Sequence, residues 1–114
     1  MYCIACTHGE MSCRDVLVEC TAGKWVPILV MRPDDGPPVV PCFQSIDVAR
    51  NFARRNLPKN WLCGVVNLRL GDAEWIEGKG WEVVVYGFPR KLKDVVPFDI
   101  EVLEYDEEPA VIAL

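Results

Sequence analysis

Five residues near the start of the chain have side chains that bind zinc: Cys3, Cys6, His8, Cys13 and Cys20. The two residues between Cys3 and Cys6 give the spacing at which two thiolates reach one ion. A structural zinc site usually contains a second closely spaced pair, and this sequence has neither a further C-x-x-C nor an H-x-x-x-H. We therefore expect free thiols, small enough to be buried on strands, and no metal. A zinc-stabilised domain is the alternative.

A further thiol, Cys42, precedes the best helical segment of the chain by three residues. The N-terminus of a helix lowers the pKa of a nearby thiol and thereby makes it a better nucleophile. A catalytic thiol also needs a base, and the one histidine, His8, is remote in sequence. The chain also lacks a glycine-rich phosphate loop and the G-x-S-x-G motif of hydrolases. The sequence therefore favours a protein that is not an enzyme and needs no cofactor.

Charge is distributed unevenly along the chain. Residues 50–93 carry 9 basic and 4 acidic groups, whereas residues 94–114 carry 7 acidic groups and no basic one. Four basic residues lie on the predicted helix or just beyond it: Arg50, Arg54, Arg55 and Lys59. Exposed charges are often only solvated by water and salt. The cluster nevertheless predicts a surface for an acidic protein partner, for the acidic residues 99–108 of this chain, or for those of a second copy.

The composition describes one globular domain over residues 1–114, with residues 1–13 and 106–114 as irregular ends. The chain is 51% hydrophobic and 25% charged, which is typical of a soluble protein. Its net charge of −5 disfavours nucleic acid as the main partner. No apolar run is long enough to cross a membrane, and the first residues do not resemble a secretion signal. We therefore expect a cytoplasmic protein.

Residues 43–61 contain the clearest helical pattern. Ser45 is suited to accept hydrogen bonds from the free N–H groups of the first turn. Pro58 ends the helix, because the residue before a proline disfavours the α conformation. Apolar residues recur at helical spacing and form one stripe: Ile46, Ala49, Phe52, Ala53 and Leu57. This stripe has to be buried against a sheet.

Strands are predicted from alternating or continuous apolar patterns at residues 14–20, 25–31, 62–70, 81–88 and 98–105. Pro27 implies that the second of these is an edge strand or contains a bulge. Residues 71–80 fit either a helical turn or one arm of a hairpin. The pattern predicts an α+β fold, with a mostly antiparallel sheet of about five strands and one amphipathic helix packed on one face.

Together these features predict a small binding domain that acts through a protein partner or by self-association, for example as a homodimer. The predicted contact residues are Arg50, Arg54, Arg55 and Lys59. The alternative is a zinc-stabilised domain that uses the N-terminal cysteines and contacts nucleic acid through the basic side of the helix.

Overall fold

The computed structural model describes residues 1–7, 25–87, 98–104 and 111–113. These residues form seven strands and two helices. The strands are β1 (Tyr2–Thr7), β2 (Trp25–Met31), β3 (Val39–Phe43), β4 (Leu62–Asn67), β5 (Glu82–Tyr86), β6 (Phe98–Glu104) and β7 (Val111–Ala113). The helices are α1 (Ile46–Asn56), between β3 and β4, and α2 (Leu70–Gly78), between β4 and β5.

All seven strands belong to one sheet, in which β1, β2 and β3 each pair with the other two. Strand β1 pairs with β4 along its whole length, while its other edge is shared by β3, through Cys3 and Cys42, and by β2, through Ala5 and Ile28. Strand β2 also pairs with β6, and β4 also pairs with β7. These pairings are antiparallel, whereas β5 runs parallel to β3. The parallel pair is possible because α1, β4 and α2 form a long connection between its strands.

The central strands β1 to β4 are buried on both faces of the sheet, and the two faces carry separate apolar cores. Successive residues of a strand point to opposite faces, so neighbouring residues of β1 belong to different cores. The face covered by α1, here called the α1 face, has the core residues Ile4, Cys6, Leu29, Met31, Phe43, Val48, Ala49, Phe52, Leu57 and Val65. The opposite face, here called the α2 face, has the core residues Cys3, Ala5, Val26, Ile28, Val30, Val40, Cys42, Val66, Leu68 and Ile76.

Helix α1 has the start, the end and the buried side that its sequence predicts. The Ser45 hydroxyl accepts a hydrogen bond from the Val48 N–H at 3.2 Å, which caps the first turn. The helix ends at Asn56, and Leu57 is already extended before Pro58. Of the predicted stripe, Ala49, Phe52 and Leu57 are buried. Ile46 and Ala53 are half-buried, and Val48, which was not part of the predicted stripe, is also buried.

Residues 70–78 form a helix, which resolves the ambiguity in the sequence between a helical turn and a hairpin arm. The Asp72 carboxylate accepts a hydrogen bond from the Arg69 N–H at 2.8 Å at the start of α2. Ile76 is fully buried and fixes α2 on its face of the sheet. The predicted strand 62–70 therefore ends early, at Asn67, because Leu70 already belongs to the helix.

Strand β2 is not an edge strand, contrary to one of the two expectations raised by Pro27. It pairs with β6 at every residue from Trp25 to Met31 on one side. On its other side β2 pairs with β1 at Ile28 and Ala5, next to the proline, and with β3 at Met31 and Val39. Proline lacks the N–H that a strand donates, and such a short pairing requires few donors there.

The α+β class and the mostly antiparallel sheet are thus confirmed. The described sheet has seven strands rather than about five, and a second helix covers the face expected to be free of helices. Both ends of the chain contribute strands, since β1 lies within residues 1–13 and β7 within residues 106–114. The predicted strand 14–20 lies outside the described residues.

Candidate functional site

The predicted basic residues lie on the solvent side of α1 and in the turn that follows it. Arg54, Arg55 and Lys59 are exposed, and Arg50 is half-buried. At 3.6 residues per turn, Arg50 and Arg54 point about 40° apart and Arg55 about 100° beyond Arg54. The side chains therefore spread over the exposed half of the helix and do not converge on a single point.

Arg50 differs from the other three because its charge is already paired. Its guanidinium contacts the Asp47 carboxylate one turn earlier, at 2.9 Å. The Asp47 side chain is exposed and that of Arg50 is 40% exposed, so this pair adds little stability. The pair does reduce the positive charge near Arg50. The positive charge is therefore greatest at the C-terminal end of α1.

Arg54, Arg55 and Lys59 form no ion pair with the residues that the structure describes. The other described cations do have partners: Arg32, Arg50 and Arg69 pair with carboxylates, and Lys79 lies over an aromatic ring. Arg54 and Arg55 are stabilised in part without an ion pair, because positive charges in the last turn of a helix interact favourably with the helix dipole. We call these three residues the basic surface.

Asp99 and Glu101 of β6 lie on the face of the sheet opposite to the basic surface. Arg32 contacts both Asp99, at 2.8 Å, and Glu101. In the β2–β6 register these acidic residues stand opposite Val30 and Ile28, which belong to the α2 face. Directly opposed residues share a face. Both carboxylates therefore lie on the other side of the sheet from α1, and residues 106–108 lie outside the described part of the chain.

The N-terminal C-x-x-C does not bring two thiols together. Cys3 and Cys6 lie on one strand, three residues apart, and belong to the cores of opposite faces. Two thiolates on opposite sides of a sheet cannot bind the same ion. Among the described residues, no group of three or more His, Cys, Asp or Glu side chains is placed to hold a metal. His8, Cys13 and Cys20 lie outside those residues.

Cys42 is not activated by the helix that follows it. The residue lies within β3, fully buried in the core of the α2 face, and its thiol points at the Val40 carbonyl oxygen at 3.8 Å. Burial raises the pKa of Cys42 to about 12, although the amino terminus acts in the opposite direction. A thiol with such a pKa is protonated at neutral pH, so Cys42 lacks the character of a nucleophile.

A further cluster, not predicted from the sequence, lies at the C-terminal end of α2 and consists of Trp75, Lys79 and Trp81. Trp75 is 38% exposed, and the Lys79 ammonium lies 3.9 Å from its ring centroid and 5.1 Å from that of Trp81. The spacing of Trp75 and Lys79, four residues apart, would place them together on a helix, but residues 71–80 also fitted a hairpin. This cluster is a second surface feature, and its cation is already engaged.

Comparison of the chain with protein-family models, with curated proteins and with solved structures found no match. Neither of the helices that the structure describes is long and apolar enough to span a membrane.

Proposed function

We propose that this chain is a non-enzymatic, cytoplasmic binding domain, which contacts an acidic protein partner or a second copy of itself through the basic surface. Arg54, Arg55 and Lys59 are the main contact residues in this proposal. Arg50 lies at the border of the surface and joins it when its pair with Asp47 rearranges.

One observation carries the proposal. Of the cations that the structure describes, the three of the basic surface are those without a partner in the same part of the chain. They stand together at one end of α1, in a protein whose net charge is −5. A local positive field on an acidic protein attracts carboxylates and orients a partner as it approaches.

A protein is favoured over nucleic acid for two reasons. The overall negative charge repels a polyanion at long range, and three cations at one helix end offer few contacts to phosphates. An acidic protein segment requires fewer contacts. Residues 94–114 of a second copy, with 7 acidic groups and no basic one, are such a segment within the chain's own sequence.

Charge reversal at the helix tests the proposal. In the test variant, here called the helix variant, Arg54, Arg55 and Lys59 are replaced by Glu. The control variant replaces Arg90, Lys91 and Lys93 by Glu, which changes the net charge equally at another basic cluster of the sequence. Self-association is measured by sedimentation velocity. Binding of a fluorescent oligoglutamate peptide, and of single-stranded and duplex DNA and RNA, is measured by anisotropy across salt concentrations.

We expect the wild type and the control variant to dimerise or to bind the oligoglutamate peptide, and the helix variant to lose that interaction by at least about tenfold. Equal behaviour of the helix and control variants would contradict the proposal. Nucleic-acid binding by the wild type that weakens steeply with salt and is lost in the helix variant would replace the protein partner by a nucleic acid.

A further inference from the structure

The four described cysteines form two directly opposed pairs across β1. Cys3 stands opposite Cys42 of β3, on the α2 face. Cys6 stands opposite Cys63 of β4, on the α1 face. None of the four is in a disulfide. Cys3 and Cys6, which do not form a metal site together, thus each lie beside a different cysteine.

The register brings each pair within reach of a disulfide. Directly opposed residues of antiparallel strands have Cα atoms about 4.5 to 5.5 Å apart. Disulfides are found with Cα separations of about 4.4 to 6.8 Å, provided that the Cβ atoms point toward each other. Opposed residues of a sheet have side chains on the same face with Cβ atoms about 4.5–5.5 Å apart, so each pair needs a small approach of the two Cβ atoms, but no change of register, to form the bond.

The two pairs differ in their access to a reagent. The side chains of Cys3 and Cys42 are completely shielded from solvent, whereas Cys63 is half-buried beside its shielded neighbour Cys6. Burial raises the pKa of Cys3, Cys6 and Cys42 and so keeps these three thiols protonated. Thiol–disulfide exchange begins with a thiolate that can touch the incoming disulfide. Cys63 is the described cysteine that meets this requirement of access.

We propose that Cys6 and Cys63 are a reversible modification site, at which a small-molecule disulfide such as oxidised glutathione produces a cross-strand disulfide through Cys63. Cys3 and Cys42 remain thiols under the same conditions. The bond would join β1 to the start of β4, the strand that follows Lys59 of the basic surface. The inference does not depend on the proposed partner of that surface.

The reaction is balanced by the oxidant alone. The Cys63 thiolate attacks one sulfur of oxidised glutathione, the S–S bond breaks, and one glutathione thiolate leaves. Cys6 then attacks the Cys63 sulfur of the mixed disulfide, its proton passes to the departing glutathione thiolate, and the second glutathione leaves as a thiol. The two cysteines are oxidised, one glutathione disulfide is reduced to two thiols, and excess reduced glutathione reverses both steps.

The experiment treats the native full-length protein with oxidised glutathione, alkylates the remaining thiols after denaturation, and identifies linked tryptic peptides by mass spectrometry without reduction. We expect a link between peptides 1–14 and 60–69, and alkylated Cys42. Because Cys3, Cys6 and Cys13 share the first peptide, variants assign the bond. Cys3→Ala should keep the link, whereas Cys6→Ala should lose it.

Arrest at the first step provides a second readout. In Cys6→Ala the mixed disulfide has no resolving thiol, so one glutathione should accumulate on Cys63, whereas Cys63→Ala should acquire neither glutathione nor a link at Cys6. A link that survives in Cys6→Ala, preferential oxidation of Cys3 with Cys42, or a wild type that forms no link with any excess of oxidised glutathione would overturn the proposal.

Discussion

The two faces of the sheet are each covered by one short helix, but the two interfaces are built in different ways. Helix α1 buries Val48, Ala49 and Phe52, and its central ring lies among three other aromatic rings. Helix α2 contributes one fully buried side chain, Ile76, and leaves Trp75 exposed. The α1 face is therefore closed by interlocked aromatic rings, whereas the α2 face is closed mainly by the strands and by half-buried side chains such as Trp81.

We infer that a buried helix residue contributes more to stability where more side chains of the sheet pack against it. Phe52 lies 5.0 Å from Phe43, 5.6 Å from Tyr86 and 6.5 Å from Phe98, measured between ring centroids. Aromatic pairs at such distances add stability beyond the area that they bury. Ile76 is as shielded from water as Phe52, but its aliphatic side chain cannot add such interactions between aromatic rings.

The largest expected effect is that of Phe52→Ala. Truncation removes the ring that contacts Phe43, Tyr86 and Phe98, and we expect a loss of about 3–5 kcal/mol in the free energy of unfolding. Urea denaturation followed by tryptophan fluorescence measures it. Arg54→Ala, on the exposed side of the same helix, is the control and should change stability by no more than about 0.5 kcal/mol. Equal denaturation midpoints for the two variants would contradict the orientation of α1.

The corresponding change on the other face is Ile76→Ala. We expect a loss of about 2 kcal/mol, at the lower end for a buried aliphatic residue, because α2 is short and can settle toward the cavity. Glu77→Ala, at the neighbouring exposed position, should stay within about 0.5 kcal/mol. A loss at Ile76 as large as that at Phe52 would remove the contrast between the two faces.

Helix α1 and its buried side could be predicted because several independent features of the sequence indicate the same helix. The stripe from Ile46 to Leu57 has a regular period, and Ser45 and Pro58 mark the two ends. Helix α2 has no such stripe, since a single buried isoleucine defines no period, and both of its alternatives remained open. Strand β7 was equally hard to predict, because it has three residues and is stabilised by its pairing with β4.

For the candidate site, too, local features could be predicted from the sequence, whereas features that depend on strand pairing could not. Exposure of Arg54 and Arg55 followed from the position of each residue relative to the stripe. Whether the acidic residues could reach them depended on long-range pairing, and the β2–β6 register places Asp99 and Glu101 beside Arg32. The cysteines show the same limit. The C-x-x-C spacing suits a turn, but on a strand it sends Cys3 and Cys6 to opposite faces, each toward a cysteine remote in sequence.

The smallest effect concerns the ends of the two helices, where their construction differs again. Helix α1 is capped by the Ser45 hydroxyl, while α2 relies on Asp72 reaching back to the Arg69 N–H. Ser45→Ala leaves the Val48 N–H without its acceptor, and we expect a loss of about 1 kcal/mol in the same denaturation experiment. Ser45→Asp is the matched control, because its carboxylate accepts the same hydrogen bond and interacts favourably with the helix dipole. We expect it to retain the stability of the wild type. A loss of similar size in both variants would mean that packing around Ser45, rather than its hydrogen bond, fixes the start of α1.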